Sequence, residues 1–239
     1  MKKLFLFFLL FITTLFFARA QQPDSLRTKR LLLKSILPVS FIIAGSAISS
    51  SQFEKDFQTN VRNSVGNNFF SPVDDYLMFA PVVEMYVADV AGVKSKNHWF
   101  DQTKNLFFSN LLSLGISTGL KYAINKTRPD GGEYSFPSGH TTIAFTNAAV
   151  LCNEFNRTSP VLAYSGYAFA VTTGAFRVIN NRHWLSDVLV GAGIGILATN
   201  LIYYFKPLKN FNPFKKSKNI VLVPNFSPDS YGLYFAYHF

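Results

Sequence analysis

Between Lys121 and Asp187 the chain places cations, two histidines and an aspartate at the turns between apolar runs, where charge can escape hydrocarbon. Three stretches carry them: Lys121-Tyr-Ala-Ile-Asn-Lys-Thr-Arg128-Pro129, Ser135-Phe-Pro-Ser-Gly-His-Thr-Thr142, and Arg177-Val-Ile-Asn-Asn-Arg-His183-Trp-Leu-Ser-Asp187. The combination suits an anion. Lys121 and Arg128 stand about two helical turns apart, so both can face one point at the end of a helix that Pro129 forbids from continuing. Ser138, Gly139 and His140 open the next helix, where free backbone N–H groups and the helix dipole favour a phosphate, and glycine lets it approach closely. The Ser138 hydroxyl adds a donor. Arg177 ends a later helix, and its guanidinium can fork onto two phosphate oxygens.

His183 and Asp187, at i and i+4 where the last apolar helix begins, share a face and can hydrogen-bond. A carboxylate accepting from one ring nitrogen fixes the tautomer and leaves the other nitrogen free to attack phosphorus, which makes His183 the candidate nucleophile. His140, beside the phosphate donors, can protonate the departing oxygen and then deprotonate the water that clears the phosphohistidine. Lys121, Arg128 and Arg177 supply the positive charge a metal would otherwise bring to the equatorial oxygens, so no metal or other cofactor is expected. Lys126 and Arg182 read as ordinary cations at helix ends, which reach the interface with their apolar stems along the protein.

These turns need helices to hold them. Apolar runs at 76–93, 106–124, 141–155, 161–176 and 184–205 alternate with short loops, and Gly, Ala, Ser and Thr recur in them, as where helices pack closely in a bilayer. The pattern predicts one all-α, membrane-embedded helical bundle over 75–205 with its active site at helix ends. Before it, residues 1–20 carry Lys2-Lys3, an apolar run and Ala18-Arg19-Ala20, the layout of a secretory signal peptide cleaved after Ala20. The segment 21–74 is expected to be helical and interfacial. Its apolar run Ile36–Ile48 falls short of the roughly 20 residues a span needs. In 49–68 Phe53, Phe57 and Val61 recur at spacing four, as on an amphipathic surface helix that packs through that stripe. The 206–239 tail begins with Lys206, Lys209, Lys215, Lys216 and Lys218, and its two β-prone runs around Pro228-Asp229 predict a short hairpin.

Composition agrees. Of 239 residues 49% are hydrophobic and only 15% charged, low for a water-soluble globule, and the net charge of +10 then points to anionic lipid or phosphate rather than nucleic acid. A single cysteine, Cys152, excludes an internal disulfide and a cysteine metal cluster.

The three-part pattern resembles the type 2 phosphatidic acid phosphatase superfamily, which includes lipid phosphatases, bacterial acid phosphatases and vanadium haloperoxidases. It consists of Lys, six residues, Arg-Pro; then Pro-Ser-Gly-His; then Arg, five residues, His, three residues, Asp. The resemblance implies that Lys121, Arg128, Ser138, Gly139 and Arg177 bind phosphate, that His183 is the nucleophile and His140 the acid and base, and that Asp187 orients His183. Where the family usually has Ser before the third-motif Arg, this chain has Phe176, which removes one phosphate donor.

The resemblance leaves three functions to separate. A membrane lipid phosphatase would act on lipid A phosphate, an isoprenoid diphosphate or a phosphatidyl phosphate. Against a vanadate-dependent haloperoxidase stands the hydrophobic, exported chain, and against a silent structural protein stands the intact motif. Lys94, Lys96, Lys104, Arg157 and the 206–218 lysines are expected opposite the motifs, so the positive-inside rule predicts a multi-pass inner-membrane protein whose site faces the periplasm. With a cleaved signal, that alternation requires Ile36–Ile48 not to cross.

Overall fold

The structure is a computed structural model that describes residues 25–66, 68–205, 208, 220–227 and 230–237. The expected leader at 1–20 and the five lysines of the 206–218 run lie outside the described residues. Among the described residues there are eight helices: α1 (Ser25–Ile48), α2 (Gln52–Val65), α3 (Val73–Leu77), α4 (Ala80–Val90), α5 (Trp99–Ile124), α6 (Gly139–Phe155), α7 (Pro160–Ile179) and α8 (Leu185–Tyr204). They form one compact unit ending at Tyr204. The tail is a second unit, in which β1 (Ile220–Ser227) pairs antiparallel with β2 (Ser230–Tyr237), Ile220 opposite Tyr237 and Ser227 opposite Ser230. The expected hairpin is therefore present, and the unpaired edges of a two-stranded ribbon give Pro224 a place in β1.

The apolar run expected to begin at Ile36 belongs to a longer helix. Leu, Lys and Arg are strong helix formers, so the basic stretch before it joins the same helix, and α1 spans 24 residues, about 36 Å at the usual rise. Its portion Thr28–Ile48 and the whole of α8 are each long and apolar enough to cross a bilayer. Around the unit, Leu33, Ile36 and Ile43 of α1, Val83 and Val87 of α4, Phe107 and Leu111 of α5, and Val171 of α7 are exposed. Water-soluble monomers rarely expose so many large apolar side chains on so many helices, and with two helices able to span, this is a membrane protein.

Helix α6 is the axis, buried on almost every side against α5, α7 and α8. Its polar side chains find partners across the bundle: Thr146 donates to Ser113 of α5 at 2.9 Å and Asn110 donates to Asn147 at 2.9 Å. Helix α8 runs between α6 and α1, and glycines allow both contacts. A Cβ at Gly191 would stand 2.7 Å from the Ser138 carbonyl oxygen, one at Gly195 2.6 Å from that of Thr142, and one at Gly193 2.5 Å from that of Pro38. Gly195→Ala must push backbone from backbone, and overpacking of this kind costs on the order of 1–3 kcal/mol. Its thermal unfolding in detergent is expected several degrees below wild type, and an unchanged Tm would contradict so tight a contact.

Helix α2 packs by a face turned about 100° from the one its sequence suggests. Glu54 and Gln58 are buried, whereas Phe53 is 59% exposed and stacks with Phe57 at 6.3 Å between ring centroids. Phe53 looks outward and Phe57 and Val61 are half-buried, because the helix lies over polar ends of α7 and α8, which offer hydrogen-bond partners rather than an apolar groove.

Candidate active site

Four helix ends meet under α2 and α3. Helix α5 arrives with Lys121 in its last turn and stops at Ile124 because Asn125 takes the left-handed conformation, φ 42°, and caps it through Asn125 N to Lys121 O, 3.0 Å. Arg128 is thus in the following loop rather than on the helix, and Arg128 N donates to Gly132 O at 2.7 Å. Ser138 is the N-cap of α6, its hydroxyl oxygen accepting from Thr141 N at 3.4 Å and from the Thr141 hydroxyl at 2.9 Å, so its own proton is free to be given. Ser138 N donates to the Asp187 carbonyl at 3.0 Å, tying the start of α6 to that of α8. Gly139 faces Lys121, whose Cε would lie 3.9 Å from a Cβ added there.

Arg177 and His183 share one turn, clamped by amides. His183 N and Arg182 N both donate to the Arg177 carbonyl. Asn180 donates to the Ser71 carbonyl at 2.7 Å and to Asp74 Oδ1 at 2.9 Å, while Gln58 of α2 donates to Asn181 Oδ1 at 2.7 Å and Arg62 to the Ile179 carbonyl at 2.8 Å. Asn181 sits at φ 61°, a conformation asparagine tolerates.

All eight residues expected from the sequence converge here. His183 is 2% exposed at the bottom, and the His140 side chain, 32% exposed, is nearer the mouth. His183 Nδ1 points at Asp187 Oδ2 from 3.5 Å, an ion-pair distance longer than the expected hydrogen bond, because that oxygen already accepts from Ser135 Oγ and from Trp184 N at 3.0 Å. Burial pushes the His183 pKa down to about 4; Arg177 and Lys121 act in the same direction, and Asp187 opposes them. The imidazole is therefore neutral across the physiological range. Three buried nitrogens here have no hydrogen-bond partner: Nε of Arg128, Nε of Arg177 and Nδ1 of His183. Orphaned guanidinium donors beside a neutral histidine leave room for an oxyanion to satisfy them.

The structure adds residues the motifs did not show. Asp74 accepts from Arg177 at 2.6 Å and the Asp75 carboxylate accepts from His140 Nε2 at 2.8 Å, both from α3. Lys126, read as an ordinary surface cation, has a side chain only 9% exposed and binds Glu54 at 2.9 Å and Asp187 at 3.1 Å. Arg182 does stay at the surface, 2.9 Å from Asp130. The only signals for the first group were an acidic pair in an apolar stretch and a lysine inside a motif, neither distinctive alone.

A helical bundle with a histidine pair and a cationic cradle at its helix ends defines a class, and residues 130–211 match the PAP2 superfamily. Over 153 residues the chain is 33% identical to the lipid A 1-phosphatase of Porphyromonas gingivalis, a match that takes in 62% of this chain and 34% of that protein. The chain thus spans about a third of the length of that curated relative. Among solved structures, the LpxE of Aquifex aeolicus aligns with a TM-score of 0.46 at 21% identity, over 62% of this chain and 94% of that one. The transmembrane PAP2-type phosphatidylglycerolphosphate phosphatase of Bacillus subtilis aligns at 0.46 and 20% identity, over 75% and 99% respectively.

Proposed function

We propose that the protein is a lipid phosphatase that needs no metal and works through a phosphohistidine on His183. The observation that carries this is the set of unpartnered buried nitrogens on Arg128 and Arg177 around a deeply buried, neutral histidine. With the Nδ1 proton toward Asp187, the Nε2 lone pair attacks phosphorus. The Nε2–P bond forms as the bond from phosphorus to the lipid oxygen breaks, and that oxygen takes its electron pair and a proton from His140. Water, deprotonated by His140, then cleaves the Nε2–P bond, returning histidine and releasing phosphate. Lys121, Arg128, Arg177, the Ser138 hydroxyl and the backbone N–H groups at Gly139 stabilise the oxygens throughout. His140, nearer the mouth, is on the side from which a bulky lipid must leave.

Among substrates we favour the phosphate of lipid A, on the 33% identity with a lipid A 1-phosphatase; isoprenoid diphosphates and phosphatidyl phosphates share the same reacting group. Phosphate release by purified protein from a panel of these lipids in detergent, with EDTA present, separates them. EDTA is expected to leave the rate unchanged and orthovanadate to inhibit by filling the site as a five-coordinate mimic of the transition state. Strict magnesium dependence would count against the mechanism.

For orientation we propose a periplasmic site in the inner membrane. Helix α1 runs antiparallel to α8, with Thr28 against Tyr204 at 3.2 Å and the Gly45 end near Ser186, so Lys29 and Arg30 lie at the end away from the site, as does Lys96, whose N–H meets the Glu154 carbonyl. The positive-inside rule puts that end in the cytoplasm. This parts from export by a signal cleaved after Ala20, which would leave the start of α1 on the other side. Labelling of a cysteine introduced at Asp130 in a Cys152→Ser background, by a membrane-impermeant reagent in intact cells, decides between them.

A further inference from the structure

We infer that Lys126 and Glu54 form a buried charge relay behind Asp187 that positions the nucleophile and sets its basicity, making α2 a working part of the active site. The inference rests on the phosphohistidine reading above and deepens it. The geometry is specific. Lys126 Nζ spends its three protons inside the protein, on Glu54 at 2.9 Å, on Ser186 Oγ at 2.7 Å and on Asp187 Oδ1 at 3.1 Å. Glu54, 1% exposed, accepts from Lys126, from Ser50 N at 2.7 Å and from Ser186 N at 3.1 Å, in the first turn of α8. Asp187 is held from both sides, Oδ1 by Lys126 and Ser186, Oδ2 by Ser135 and Trp184 N. Its carboxylate has one orientation left, and that orientation faces His183.

A buried ion pair is poor evidence for stability, since desolvation consumes most of its attraction, and removing one member leaves an uncompensated charge. What this group supplies is a charge balance. Lys126 is positive, Glu54 and Asp187 are negative, and His183 in the resting enzyme is neutral, so the four together carry a single negative charge. When Nε2 bonds to phosphorus while Nδ1 keeps its proton, the ring becomes cationic and the four sum to zero. Without Glu54 the same step would build net positive charge in a site that already holds Lys121, Arg128 and Arg177. Glu54 lies on α2, well outside the residues 130–211 that match the superfamily, so this part of the machinery comes from the N-terminal portion of the chain.

The charged groups facing His183 are Asp187 from α8, Arg177 from α7 and Lys121 from α5, with Lys126 and Glu54 behind Asp187 and His140 and Asp75 at the mouth. Two substitutions move the balance in opposite directions. Glu54→Gln keeps an acceptor oxygen for Ser186 N but removes a negative charge, so His183 holds its proton less tightly. Lys126→Met removes a positive charge, so His183 holds it more tightly. The titration of the His183 ring, followed by NMR in the substrate-free protein and assigned with His183→Gln, is expected to move down in the first variant and up in the second, each on the order of one pH unit. Lys126→Arg restores the wild-type value. In the turnover assay the acid limb of kcat against pH moves the same way, kcat at neutral pH falls about tenfold in Glu54→Gln, and KM stays near wild type because neither residue touches substrate.

Unmoved titrations, or shifts of one sign in both variants, overturn the relay and leave the pair as a structural pin. Should Lys126→Met fail to fold, Glu54→Gln decides alone: a downward shift supports the relay and no shift refutes it. A wild type that releases no phosphate from any lipid refutes the phosphatase reading, while the NMR titration still judges the coupling.

Discussion

His183→Gln is expected to lose turnover by about a thousandfold or more, roughly 4 kcal/mol of barrier, while expression and folding survive. Glutamine fills much of the imidazole's volume and offers no nitrogen lone pair that can displace an alcohol from phosphorus, so the covalent route is closed rather than slowed. The cradle does not depend on this side chain: Lys121, Arg128 and Arg177 come from α5, its loop and α7. Inorganic phosphate or vanadate should therefore still bind and raise the melting temperature of the variant. A brief reaction of wild type with labelled lipid phosphate, quenched in alkali, should leave label on the protein, and His183→Gln should leave none. Retention of more than about a tenth of the wild-type rate, less than 1.4 kcal/mol of loss, would remove His183 from the role of nucleophile.

Removal of the other histidine should have an effect that depends on the substrate. In His140→Ala the lipid oxygen must leave without its proton, so substrates with poor leaving groups are expected to lose on the order of 10²–10⁴-fold in the first step, the usual range for a general acid. An aryl phosphate, whose oxygen leaves readily as an anion, should keep a near-normal burst and then stall, because the same residue is needed to activate the water in the second step. Equal damage to both substrates in a single-turnover burst would show that His140 is not the acid. The Asp75 carboxylate at 2.8 Å from His140 Nε2 adds a further expectation: Asp75→Asn, which keeps a hydrogen-bonding partner but no charge, should show a milder version of the same substrate dependence.

Much of the site was legible because its chemistry is confined to helix ends. Polar residues interrupting apolar runs are few, and Pro129, Pro137 and Gly139 mark where the helices stop and start. The groups placed to meet an oxyanion could thus be read from spacing alone. What lies behind them could not. Lys126 looks like any cation near a membrane helix terminus, and its burial depends on Glu54, distant in sequence and brought over it only by the packing of α2. The outward turn of Phe53 has the same origin, since which stripe of an amphipathic helix packs depends on whether the surface beneath it is polar. The apolar run Ile36–Ile48 is only the second half of α1, because the basic residues before it are strong helix formers that continue the helix.

The glycines of α8 bear on how such a site survives in a solvent as variable as a lipid bilayer. Gly191 and Gly195 set backbone against backbone between α8 and α6, with no side chain in between to act as a spring. The two histidines hang from the starts of these helices, joined there by the bond from Ser138 N to the Asp187 carbonyl. A bilayer that thickens, thins or is replaced by detergent tilts helices as rods, and rods in backbone contact tilt as one. The separation between His183 and His140 is thereby insulated from the membrane, and on the proposed mechanism activity should vary with lipid composition through substrate access at the mouth far more than through the chemical step.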